Sequence, residues 1–91
     1  MIVRIMEENQ YRLDDQEVSH FEHLDQMLTD AVHGGDQVAF QTALTDLLMF
    51  IRAKGVPVPY TEIVPSDVVV PTEDMTLAEA REFLDNAAPG A

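Results

Sequence analysis

Cysteine is absent from this 91-residue chain, which excludes disulfides and thiolate metal sites, and nothing argues for secretion. No apolar run approaches the ~20 residues of a membrane-spanning helix. Met1 opens directly into a structured-looking segment with no charged or apolar leader behind it, so no signal peptide and a cytoplasmic location are expected. Cations are scarce: 5 Lys and Arg stand against 17 Asp and Glu, for a formal charge of −12. A field of that sign repels phosphate backbones and anionic lipid headgroups, so neither nucleic-acid binding nor direct membrane insertion is expected. The same acidity serves solubility or a partner presenting Lys and Arg, and does not choose between them. There is no Gly-rich phosphate loop, nucleophile elbow or HExxH sequence. Internal repeats and low-complexity segments are also missing. No catalytic residues and no cofactor are expected.

What the chain does have is enough apolar material for a core, 46% of its residues, and at this length one domain can bury roughly 60–70% of its unfolded surface. The most apolar stretch runs from Asp36 to Lys54. At 100° per residue, Phe40, Ala43, Leu44, Leu47, Leu48, Phe50 and Ile51 fall on one arc, with Gln41, Thr42, Thr45, Asp46 and Arg52 facing away. Asp36 is placed to cap the first turn, and Gly55 to end the helix in a left-handed conformation.

Around that helix the chain predicts an α+β domain over residues 1–86 and a frayed tail over 87–91. Met1 to Met6 and Gln10 to Leu13 read as an N-terminal hairpin across the loop Glu7-Glu8-Asn9. That loop sets Ile5 opposite Tyr11 and Val3 opposite Leu13 on one face, and Arg4 beside Arg12 on the other. Two adjacent like charges repel unless acids or a ligand lie over them. Glu7, Glu8 or Asp14 could neutralise them within the domain, and otherwise an acidic partner could. A helix capped by Asp14 or Asp15 runs to about His33 and ends at Gly34-Gly35, with Val18, Phe21, Leu24, Leu28, Ala31 and Val32 inward and Met27 at the edge. The short connection makes the two helices an antiparallel hairpin. Asp25 interrupts the apolar stripe and needs a partner, for which Tyr11, Thr45 or a hairpin arginine could serve.

From Val56 to Pro71 the chain carries four prolines in sixteen residues and cannot be helical. Ile63-Val64 and Val68-Val69-Val70 are strand-like, and Pro65 and Pro71 confine them to an edge or an extended wrap. A strap over the helices is expected, with Val68 to Val70 able to add a third strand. Thr76-Leu77-Ala78-Glu79 is a capping box that opens a short helix through Leu84, with Leu77, Ala80 and Leu84 inward and Phe83 off that line.

Glu17, His20 and His23 follow the i, i+3, i+6 spacing of a helical metal face, although three ligands without a fourth fall short of a structural zinc site. Val38 and Met49 share the polar side of the long helix, where clustered apolar groups would mark an interface.

The runs MIVRI and QYRLDD, the acidic helical hairpin, the turn GVPVP, the segment IVPSDVVVP and the closing DMTLAEAREFL together resemble the PspA-associated protein family. The likeness covers nearly the whole chain, and MIVRI with QYRL and VPSDVVVP carries its specificity. Glu7-Glu8-Asn9 departs from the family's more glycine-rich turn. The resemblance implies a small accessory of PspA, the phage-shock coiled-coil protein that polymerises on damaged bacterial membranes, and an adaptor or regulator rather than a catalyst. It also implies recruitment to the inner face of the membrane through PspA, whose helical faces are acidic. Arg4, Arg12, Val38 and Met49 are then the candidate contact residues. A small homo-oligomeric scaffold, such as a homodimer, and a metal- or ligand-dependent protein using Glu17, His20 and His23 remain alternatives.

Overall fold

The fold grows from one buried helix, α2 (Gln37–Lys54). In the computed structural model, which describes residues 1–86, every residue of the expected apolar arc, from Phe40 to Ile51, is buried. The Asp36 carboxylate accepts from the Val38 and Ala39 N–H groups at 3.0 and 3.1 Å, supplying the cap the sequence calls for. At the other end the structure corrects the expectation, because Gly55 is extended, with φ −79° and ψ 151°, not left-handed. Its missing side chain has a different cause: a Cβ there would lie 2.6 Å from the Ile51 carbonyl oxygen and 2.8 Å from the Tyr11 Cβ.

Helix α1 (Asp15–Gly34) precedes it, with Asp14 at the N-cap position. The left-handed glycine is here, Gly35 at φ 69°, whose N–H faces the Ala31 and Val32 carbonyls at the end of α1. Gly35 and Asp36 alone join the helices, which therefore run antiparallel and share the largest contact in the molecule. Phe21, Leu28, Ala31 and Val32 are buried, and Leu24 is packed against the core.

Strands β1 (Ile2–Ile5) and β2 (Gln10–Arg12) form the hairpin, but in a register two residues from the expected one. Val3 faces Tyr11, Arg4 faces Gln10 and Ile2 faces Arg12. The turn sits one residue earlier: the Glu8 N–H donates to the Ile5 carbonyl at 3.0 Å, and the Ile5 N–H donates to the Asn9 carbonyl at 3.1 Å. A shift of two leaves the alternation of faces intact. Val3, Ile5 and Leu13 are accordingly buried under the helices, with half-buried Tyr11 beside them. Glu7 occupies the third turn position with φ 62°, the only non-glycine residue with positive φ among the described residues. That geometry favours glycine, because a Cβ crowds the backbone there. Glu7→Gly is expected to stabilise the domain by about 1 kcal/mol, read as a rise in urea midpoint at constant slope.

The proline-rich stretch does not lie over the helices. It supplies two edge strands, β3 (Val56–Pro57), antiparallel to β2, and β4 (Val68–Val70), parallel to β1, giving the order β3-β2-β1-β4. Between these edges the chain crosses the sheet face turned away from the helices. There the Gln10 side-chain amide donates to the Val64 carbonyl and the Ser66 hydroxyl at 3.0 and 2.8 Å. Ile63-Val64, strand-like in composition, forms no strand, whereas Val70 reaches the core. Asp67 ties down the return: its N–H donates to the Ile2 carbonyl and its carboxylate accepts from the Ile2 N–H, both at 2.8 Å.

Helix α3 (Leu77–Asn86) opens on the expected capping box. The Thr76 N–H donates to the Glu79 carboxylate at 2.9 Å, and the Glu79 N–H donates to the Thr76 hydroxyl at 3.1 Å. Ala80 is buried and Leu77 packs against the core. The side chains of Phe83 and Leu84, and the tail at 87–91, lie outside the described residues.

Candidate interaction surfaces

In a strand, alternate residues share a face, so Arg4 and Arg12 both project from the side of the sheet that the helices leave open. They are not side by side, however. Arg4 pairs across with Gln10 and Arg12 with Ile2, making the two arginines diagonal neighbours. The acid that meets Arg12 is Glu62 of the strap, fifty residues away, and not Glu7, Glu8 or Asp14. Among the described residues Arg4 makes neither an ion pair nor a side-chain hydrogen bond. It edges a recess of about 230 Å³ between hairpin and strap, lined also by Glu8, Gln10, Tyr60, Glu62 and Ile63.

Apolar side chains frame these cations. Val56 pairs with Arg12 and Val69 with Arg4, which sets both on the arginine face. Tyr60 and Ile63, at the strap's apex, are 94% and 97% exposed. The outer sheet surface therefore combines two of the five cations with four of the seven large exposed apolar residues found among those described.

Val38 and Met49 are exposed on the outer side of α2, 75% and 63% respectively. Eleven residues of helix separate them by about 16 Å along the axis. They are two ends of a stripe with Thr42 and Thr45 between, not one cluster.

A third feature has no signal in the sequence. Arg52, in the last turn of α2, clamps two distant acids: Glu8 in the hairpin turn, at 2.6 and 3.3 Å, and Glu73 ahead of α3, at 2.6 and 3.1 Å. The Tyr11 hydroxyl donates to Glu8 at 2.9 Å. Hydrogen bonding to Arg52 lowers both carboxyls, that of Glu73 from the ordinary 4.5 to about 2. Depressed folded pKa values mean that the clamp contributes fully above the unfolded value near 4.5 and is lost as pH falls toward 2. Arg52→Met should cost about 1 kcal/mol at pH 7, and the difference from the parent should shrink across that window. Thermal melts at pH 7, 4 and 2.5 check this.

Asp25 is half-buried in the α1 stripe, and burial raises its carboxyl above the usual range. None of the expected partners reaches it: Tyr11 donates to Glu8, Thr45 is exposed, and Arg12 meets Glu62. The metal face does not assemble either. His20 tilts its ring against Phe50, centroids 4.5 Å apart, while His23 is exposed. Among the described residues no three His, Asp or Glu side chains gather closely enough to hold a metal ion. No described helix is long and apolar enough to cross a membrane.

The geometry defines a class: a small acidic α+β domain whose described residues offer open faces, one cationic and apolar over the sheet, the others along the helices. The chain belongs to the PspA-associated protein family, whose pattern matches residues 1–90. No curated protein and no solved structure matches it.

Proposed function

We propose that the protein is a non-enzymatic adaptor or regulator of PspA, acting in the cytoplasm by protein–protein contact within the membrane-stress response and drawn to the inner face of the membrane through that partner. Family membership supports the association. The observation that carries the contact is the outer sheet face, where Arg4 makes no ion pair among the described residues, the nearby Glu8 and Glu62 being engaged by Arg52 and Arg12, while Tyr60 and Ile63 project into solvent. In a −12 domain a cation left without an ion pair gains most from an acidic partner. Exposed aromatic and aliphatic side chains supply the apolar centre that binding energy requires. Arg12 contributes by holding the strap through Glu62 as well as by its charge. Binding of this kind weakens with salt.

The test is retention by immobilised PspA of the parent protein, Arg4→Glu and Ile63→Ser. Both residues are exposed, so both variants should melt like the parent. A tenfold or greater loss of affinity in each, with salt-sensitive binding in the parent, is the expected result. Unchanged affinity would clear the sheet face and move the contact to the Val38 and Met49 stripe of α2. No binding by the parent would remove PspA as the partner.

A further inference from the structure

The helical hairpin carries a second surface, of opposite polarity to the sheet face. Where α1 and α2 approach their common corner, the residues that line the outward seam are small: Ala31 and Gly34 from α1, Ala39 and Ala43 from α2. Two helices packed through such residues leave little side-chain bulk above the contact. The result is an open groove of about 560 Å³, with Met27 and Thr42 on its walls. That volume lies within the ~300–1,000 Å³ of ligand-sized sites. Met27 is 45% exposed, a flexible and polarizable side chain that adapts to varied apolar partners.

The groove's rim decides what fits. Asp30 and Asp36 line it, and no lysine or arginine does. Both carboxylates are held in place, Asp30 by the Gln26 amide at 2.9 Å and Asp36 by its cap hydrogen bonds. Helix α1 carries no lysine or arginine along its whole length, and those of α2, Arg52 and Lys54, sit at its far end. Arg81, the one cation of α3, donates to the Val32 carbonyl at 3.3 Å with its guanidinium beside Gly35, at the end of the groove but outside its lining. Anionic lipid and nucleic acid are repelled by the −12 field, and a second copy of this chain would bring another −12 toward the same acids.

We infer that this groove docks a cationic amphipathic helix from a partner protein, its apolar residues at i, i+3 or i+4 and i+7 seated over Ala31, Ala39 and Ala43, and its Lys or Arg flanks against Asp30 and Asp36. The inference stands apart from the sheet-face reading, since it uses residues of the helical hairpin and opposite charge.

The test uses the full chain and two labelled 18-residue peptides of leucine and lysine. One is ordered so that the leucines form a single helical face. The other is a scramble of equal charge with no such face. Anisotropy titrations at 0.15 M salt compare the parent with Ala39→Gln/Thr42→Gln, which fills the groove without changing charge at two exposed positions. The parent should bind the amphipathic peptide at least tenfold tighter than the scramble, and the double variant, melting like the parent, should lose that preference. Equal binding of the two peptides would reduce the effect to bulk charge and overturn the inference. So would a preference that survives in the double variant. A concentration-dependent dimer in sedimentation that the double variant dissolves would assign the groove to a second copy instead.

Discussion

Leu44→Asp is expected to abolish the cooperative melt of this domain. Leu44 is 1% exposed at the middle of α2, in a core that also holds Val3, Ile5, Phe21 and Phe40. An aspartate there would be cut off from water. The described residues contain no buried polar or charged side chain, so the new carboxylate would have no core partner to receive its charge. Such a change costs several kcal/mol, through the desolvated charge and the lost apolar contacts together. A domain of this size is stable by only ~5–15 kcal/mol. Circular dichroism should show no native transition at 25 °C. Thr45→Asp, one residue along but on the exposed side, should change stability by no more than about 0.5 kcal/mol. An unshifted melting temperature in Leu44→Asp would place this arc outside the core.

Gly55→Ala should cost about 2–3 kcal/mol, more than a methyl group normally does. The backbone at Gly55 has an ordinary φ of −79°, so alanine brings no dihedral penalty. The cost is steric. The added Cβ would stand 2.6 Å from the Ile51 carbonyl oxygen and 2.8 Å from the Tyr11 Cβ, so α2 and β2 would have to separate. Gly35 provides the contrast, since its φ of +69° penalises alanine through conformation, while the closest atom to a Cβ there is the mobile end of Arg81. Gly35→Ala should cost about 1 kcal/mol, and asparagine, which tolerates left-handed φ, should recover part of it. At position 55 asparagine should be no better than alanine. Urea midpoints of the four variants separate the two mechanisms, and a rescue by Gly55→Asn would restore the left-handed reading.

How much of this fold the sequence carries depends on the range of the interaction concerned. The α2 arc, the Asp36 cap, the Thr76-Glu79 capping box and the end of α1 at Gly34-Gly35 are settled within four or five residues, by helical periodicity and by which side chains reach orphan N–H groups, although the left-handed residue is Gly35 and not the expected Gly55. Alternation likewise assigns Val3, Ile5 and Leu13 to the core and Arg4 and Arg12 to the opposite face. It cannot fix the register, because a slip of two residues leaves every side chain on the same face; the turn around Glu7 makes that choice. For the same reason both arginines could be read as surface residues while their neighbours could not.

Tertiary structure decided everything that depends on which distant segments meet. Val68 to Val70 has strand composition while Val56 falls in the turn GVPVP, and only closure of the chain makes Val56–Pro57 a strand antiparallel to β2 and Val68–Val70 one parallel to β1, and so sends the strap across the open sheet face. That path brings Glu62 to Arg12 and leaves Arg4 with Tyr60 and Ile63, although Ile63 reads from composition alone as a strand residue. The Arg52 clamp joins residues 44 and 21 positions apart. Part of the crowding at Gly55 comes from Tyr11, which passes over it from β2. Local propensity acts through bonds and sterics within a turn or two, so it determines elements and their faces. Contacts across the chain arise only when those faces are buried against one another, and the two candidate surfaces are made of such contacts.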